Sequence, residues 1–237
     1  MAVIEGGTSA VLADVDAGTK ALKVRAHPPD VLGSYQLETI SGTMAAGLAG
    51  ASPIYACRWG DATRLMLLRR IALDARVLGT AFSAGATLFD FIVARSWTGN
   101  YTGGTSILPT ANSQKRRTSF GTTLITDLRQ SATATLTAGG TPTLDGAAMI
   151  ALRGHVSATA TNAPLVSAGN AAGTAAVFGA AVSTYIATPI DLLAPNWGGE
   201  YPLVFAQNEG FLIRATVPAT GTWDFSVTME WSEIAAF

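Results

Sequence analysis

The chain has 237 residues, a formal net charge of −1, 49% hydrophobic residues and only 13% charged ones. That length suffices for one large all-β domain, or two small ones, with a buried core. The near-zero charge excludes a general electrostatic pull on nucleic acid, and regular apolar runs exclude a disordered chain.

Residues 1–50 read as an extended N-terminal arm whose expected anchors on a neighbouring molecule are Val3, Ile4, Val11 and Leu12. Glu5-Gly-Gly-Thr-Ser9 is a flexible start, and Leu22-Lys-Val-Arg25 is short and extended. His27-Pro-Pro-Asp30 interrupts any regular element. Residues 43–50 are small and apolar, suited to close packing. The N-terminus lacks the basic and apolar regions of a signal peptide, and no run reaches about 18 apolar residues. The expectation is synthesis in a cytoplasm, without Sec export and without a membrane partner.

Residues 51–237 read as a β-sandwich domain. Residues 54–59 form a first strand, and 64–78 a long second one, preferred over a helix because charges alternate with apolar positions and no helix cap precedes it. Leu65, Leu67, Ile71, Leu73, Ala75 and Val77 would share the core face, which also points Arg69 inward, a placement the sequence does not explain. Residues 88–97 read as a strand with Phe89, Phe91, Val93 and Trp97 on one face. Residues 98–119 form a loop whose Lys115-Arg116-Arg117 cluster is solvated rather than phosphate-binding, for want of a second basic patch or an aromatic platform. Shorter strand candidates lie at 131–137, 147–153 and 184–190, with a small-residue loop at 158–180.

The chain closes on its clearest pattern. After a strand beginning near Glu200, residues 211–217 and 223–233 read as the two strands of a hairpin joined by Pro218-Ala-Thr-Gly-Thr222. Phe211, Ile213, Trp223, Phe225 and Trp231 are its expected core residues, since side chains along a strand alternate between faces. Many short strands punctuated by Gly and Pro indicate an all-β fold: an antiparallel β-sandwich, jelly-roll-like, with an extended N-terminal arm.

Chemistry is sparse. Cys57, the single cysteine, sits in an apolar strand and reads as a buried, inert thiol. His27 and His155 lack metal-ligand spacing, and no nucleophile elbow, P-loop or dinucleotide fingerprint occurs. Asp14/Asp16 lie in the arm, where two-carboxylate geometry could not be held; Glu230/Glu233 is the other acidic pair. The chain is therefore expected not to be an enzyme and to have no catalytic residues, no cofactor and no metal site. Trp97, Tyr101 and Trp197 in Gly/Asn-rich loops are candidate interface aromatics, with sugar stacking as the alternative use. A surface this poor in charge suits a chain packed against copies of itself.

The opening Met1-Ala-Val-Ile-Glu-Gly-Gly-Thr-Ser9 with Asp14-Val-Asp16 resembles the start of a group of tailed-bacteriophage virion structural proteins. So does the closing run from Glu200 through Asn208-Glu-Gly-Phe-Leu-Ile-Arg-Ala-Thr-Val-Pro-Ala-Thr-Gly-Thr-Trp223 to Trp231. Phe82, Trp97 and Arg117-Thr-Ser119 fall at comparable places, and residues 130–195 resemble the group least. The resemblance implies a non-catalytic component of a virion, such as a head decoration or cement protein. Its partners would be copies of itself, with a trimer expected, and other virion proteins, but no nucleic acid. A tail-associated receptor- or glycan-binding module is the alternative.

Overall fold

A computed structural model describes residues 5–6, 11–12, 32–48, 50–110, 113–156, 158, 164–166, 190–193 and 203–235. In chain order the strands are β1 (Glu5–Gly6), β2 (Val11–Leu12), β3 (Gly33–Ile40), β4 (Met44–Ala45), β5 (Ser52–Trp59) and β6 (Arg64–Val77). Next come β7 (Gly85–Ser96), β8 (Thr105–Ser106), β9 (Ile125–Gln130), β10 (Thr143–Leu144) and β11 (Ile150–Val156). The chain ends with β12 (Pro164–Val166), β13 (Ile190–Leu193), β14 (Leu203–Phe205), β15 (Gly210–Thr216) and β16 (Thr222–Ala235). No helix occurs among the described residues.

Two antiparallel sheets pack face to face. The first runs β10-β7-β15-β5-β9-β8, with β11 also on β7. The second runs β12-β6-β16-β3, with β13 and β14 further along β6 and β4 beside β16. Strands β1 and β2 pair with each other. The core lies between the sheets. From the second sheet come Trp223, Phe225, Val227, Met229 and Trp231 of β16; from the first come Phe89, Phe91 and Val93 of β7, Phe211 and Ile213 of β15, and Tyr55, Cys57 and Trp59 of β5. Burying a large apolar side chain contributes roughly 1.5–3 kcal/mol relative to exposure, so these rows hold the sheets together. The expected all-β antiparallel sandwich is what forms.

Strand β6 accounts for the position of Arg69. Glu230 pairs with Arg70 but the next residue, Trp231, pairs with Leu68, so Arg69 is the extra residue of a β-bulge. The bulge inverts the alternation. Ile71, Leu73, Ala75 and Val77 face the core after it, whereas Met66 and Leu68 face the core before it, in place of the expected Leu65 and Leu67.

The expected closing hairpin does not form. β15 pairs with β5 and β7 in the first sheet, and β16 with β3 and β6 in the second, so residues 217–222 arch across the sandwich. The β6–β7 connection crosses at the same end and holds the arch: Thr222 N donates to Thr80 O at 3.0 Å, and Ser83 N to Ala219 O at 3.1 Å. Gly221 has φ 84°, and a Cβ there would lie 2.9 Å from the Phe82 backbone nitrogen, so the glycine permits both the turn and the close approach.

The boundary expected at residue 50 also moves. β3 pairs with β16 from Gly33 to Ile40, and Met44 and Leu48 are buried in the main core, so residues 33–48 belong to the sandwich. Of the shorter candidates, 131–137 is irregular apart from a single bridge at Thr137, 147–153 shifts to β11, and 184–189 lie outside the described residues.

Candidate assembly surface

The five residues expected to form the hairpin core are all buried, in a core between sheets rather than along an outer seam. Trp231 stacks on Tyr35 at 5.2 Å between ring centroids, and Trp223 meets Phe89 edge-on at 5.7 Å. Phe211 lies against Phe91 at 5.0 Å. These side chains are committed to holding one molecule together. Cys57 is buried, as its context indicated, and burial pushes its thiol well above the usual range.

Trp97 and Tyr101, expected on an exposed loop, are 1% and 3% exposed. β7 ends at Ser96, so Trp97 leaves the strand's core face and packs on the outer face of the first sheet with Tyr101, Ala56, Ile92, Ala94, Leu136 and Leu212. Polar ties fix this second cluster. Arg58 donates to Trp97 O at 3.0 Å, Asn100 Oδ1 at 2.6 Å and Asn208 Oδ1 at 2.7 Å. Asp127 accepts from Tyr101 N at 2.8 Å and from Arg129 at 3.0 Å, while burial raises its carboxyl above the ordinary value. Nearby, Arg214 forms a two-point pair with Asp90 at 2.7 and 2.8 Å. Both aromatics are used within the fold and present no stacking platform. Trp197, Val3 and Ile4 lie outside the described residues; Val11 and Leu12 are placed by their backbone in β2, and their side chains are not described.

The outer face of the second sheet is different in kind. Along it, Arg76 pairs with Asp224 at 2.8 Å, Arg70 with Asp191 at 2.6 Å, and Arg116 with Glu230 at 2.7 Å. Arg116 explains part of the basic cluster. Gln114 O accepts from Gln36 N and Arg116 N donates to Ser34 O, both at 2.9 Å, so Lys115 forms an isolated antiparallel bridge with Tyr35 at the edge of β3. From there Arg116 reaches over β3 to Glu230 and to Gln36, at 3.1 Å from the latter. Arg117 instead lies over the Phe120 ring at 5.3 Å. Glu230 and Glu233 do not converge: Glu230 is on this outer face, while Glu233 is buried and accepts from Thr123 Oγ1 at 2.6 Å.

Beyond Gln36 the edge is open among the described residues. Gln36 and Glu38 are exposed, Ile40 is 69% exposed, and no described group pairs with Glu38. The sequence reading missed this edge because it assigned residues 1–50 to an arm. The signal was present in Gly33-Ser-Tyr-Gln-Leu-Glu-Thr-Ile40, where Tyr35 and Leu37 alternate with Gln36 and Glu38.

The fold and surface define the class as an all-β antiparallel sandwich with one covered outer face and one charged, open-edged one. Comparison of the chain with family models, curated proteins and solved structures returned no match.

Proposed function

We propose that this chain is a non-catalytic structural subunit of a bacteriophage virion, which associates with copies of itself and attaches to the particle. The observation that carries the reading is where the resembling sequence falls. The run from Glu200 to Trp231, similar to tailed-phage virion proteins, supplies β15 and most of β16, the strands inside both sheets. What resembles the group is thus the framework of the fold rather than a peripheral decoration. The use of acidic and basic side chains supports the same reading: Asp90, Asp127, Asp224 and Glu230 are each engaged by an arginine.

Assembly by such a subunit is geometric, each copy adding buried area and paired strand edges. The glycan-binding alternative loses two of its three side chains, because Trp97 and Tyr101 are buried. Deletion of residues 1–25 tests the proposal by quantitative mass spectrometry of purified particles. The truncated chain keeps its folded sandwich and is lost from particles; incorporation at normal occupancy would remove the arm from the mechanism.

A further inference from the structure

The isolated antiparallel bridge between Lys115 and Tyr35 shows what the β3 edge accepts. Residues 114–116 cross it antiparallel, and a basic side chain reaches onto a face where Asp74, Asp191, Asp224 and Glu230 surround Arg70 and Arg76. The remaining part of the edge repeats that offer. Gln36 N and Ser34 O, which bond to residues 114–116, point away from β16, so with a two-residue period the backbone groups of Glu38 and Ile40 do as well. Glu38 is exposed and unpaired there among the described residues.

Edge-to-edge pairing with the β3 of another copy, centred on this position, would set Glu38 against Glu38, and like charges directly opposite are destabilising. The chain itself contains a better complement. In Lys20-Ala-Leu-Lys-Val-Arg-Ala26, apolar Leu22 and Val24 alternate with basic Lys23 and Arg25, and there is no acid. Placed on this edge, Lys23 and Arg25 would share the acidic outer face with Glu38, and Val24 and Ala26 would lie on the core side opposite Thr39 and Leu37.

We propose that residues 37–40 receive residues 23–26 of a second copy as an added antiparallel strand, with Arg25 opposite Glu38 and Lys23 opposite Ile40. This deepens the self-association reading above and rests on it. A second copy fits better than the same one. From Glu38 back to Leu32 is about 20 Å at the strand rise of roughly 3.3 Å per residue. Residues 26–31 are long enough for that distance, but to pair on the same edge they would pass Gln36 and Ser34, whose outward backbone groups residues 114 and 116 already bond, and Pro28-Pro29 lack the N–H groups a strand pair uses.

The test is disulfide trapping in the full-length chain carrying K23C and I40C together, with each single variant as a control; Cys57 is buried and stays out of the reaction. Non-reducing gels and intact mass are read beside sedimentation of the wild type. Cross-linked dimers and larger species that require both cysteines support the proposal. So does charge exchange: E38K and R25E each weaken self-association roughly fivefold, and the double variant E38K/R25E restores it. An intrachain disulfide at monomer mass overturns the second-copy assignment, and dimers formed by I40C alone overturn it in favour of edge-to-edge pairing. An oligomeric wild type that yields no cross-link overturns this edge and leaves self-association standing. A wild type that sediments as a monomer at every concentration overturns self-association itself.

Discussion

Glu233 is a carboxylate at the end of an apolar ladder, and its surroundings set a pH response. Burial pushes its carboxyl above the ordinary 4.5, only partly offset by hydrogen bonds from Thr123 Oγ1 and Leu124 N, the latter at 2.9 Å. Trp231 Nε1 donates to the same Thr123 hydroxyl at 3.2 Å, so the acid, the loop and the core aromatic are joined. Tyr35, stacked on Trp231, has its phenol pushed up to about 12, by burial first and by Glu233 second. A carboxyl raised in the folded state binds its proton more tightly there than in the unfolded chain. Its stabilising contribution is complete below the unfolded value and is lost as pH rises through the folded one. Burial raises Asp74 and Asp127 in the same sense. Asp61, lowered by its bonds from Thr63, and Asp145, lowered by Arg95, act in the opposite sense but lie where solvent screens them. Glu233→Gln keeps the Oε1 acceptor and removes the titration. As pH rises above about 4.5, the wild-type Tm should fall more steeply than that of E233Q. Parallel Tm profiles would show that the acid is not held as described.

At the scale of elements, alternation told the faces of β15 and β16 correctly, misplaced Leu65, Leu67 and Trp97, and told neighbours incorrectly. The strand reading of 64–78 held because charged and apolar residues alternate, and the row from Trp223 to Trp231 went wholly to the core. A period-two pattern does not say whether the next strand lies beside it or across from it, since both arrangements bury the same face. The link at 218–222 suits either. What decides is contact with residues 78–83, such as Thr80 N to Thr222 Oγ1 across 142 positions, which no local pattern reports. The bulge at Arg69 escaped for a related reason: its partner strand, β16, lies more than a hundred residues away. Deleting Arg69 and replacing it by serine separate these effects in urea denaturation. Arg69→Ser keeps the bulge and costs about 0.5 kcal/mol or less. The deletion turns Met66 and Leu68 off the core face, at about 2–5 kcal/mol for each lost core side chain. Equal losses for the two variants would contradict the bulge.

Across the whole molecule, the all-β sandwich was legible because composition and turn punctuation act along the entire chain. The limits of the arm and the place of the loop aromatics were not. Residues 33–48 join the sandwich through pairing with the far end of the chain, and Trp97 and Tyr101 are covered by a cluster drawn from segments as distant as Ala56 and Leu212. The charged outer face and open β3 edge likewise exist only once β16 stands between β3 and β6. The virion role is tested most directly by a reconstruction of the intact particle. It requires this sandwich in many symmetry-related copies, with chain from a neighbouring copy along residues 37–40. A particle without the sandwich, or with solitary copies that touch no other, would contradict it.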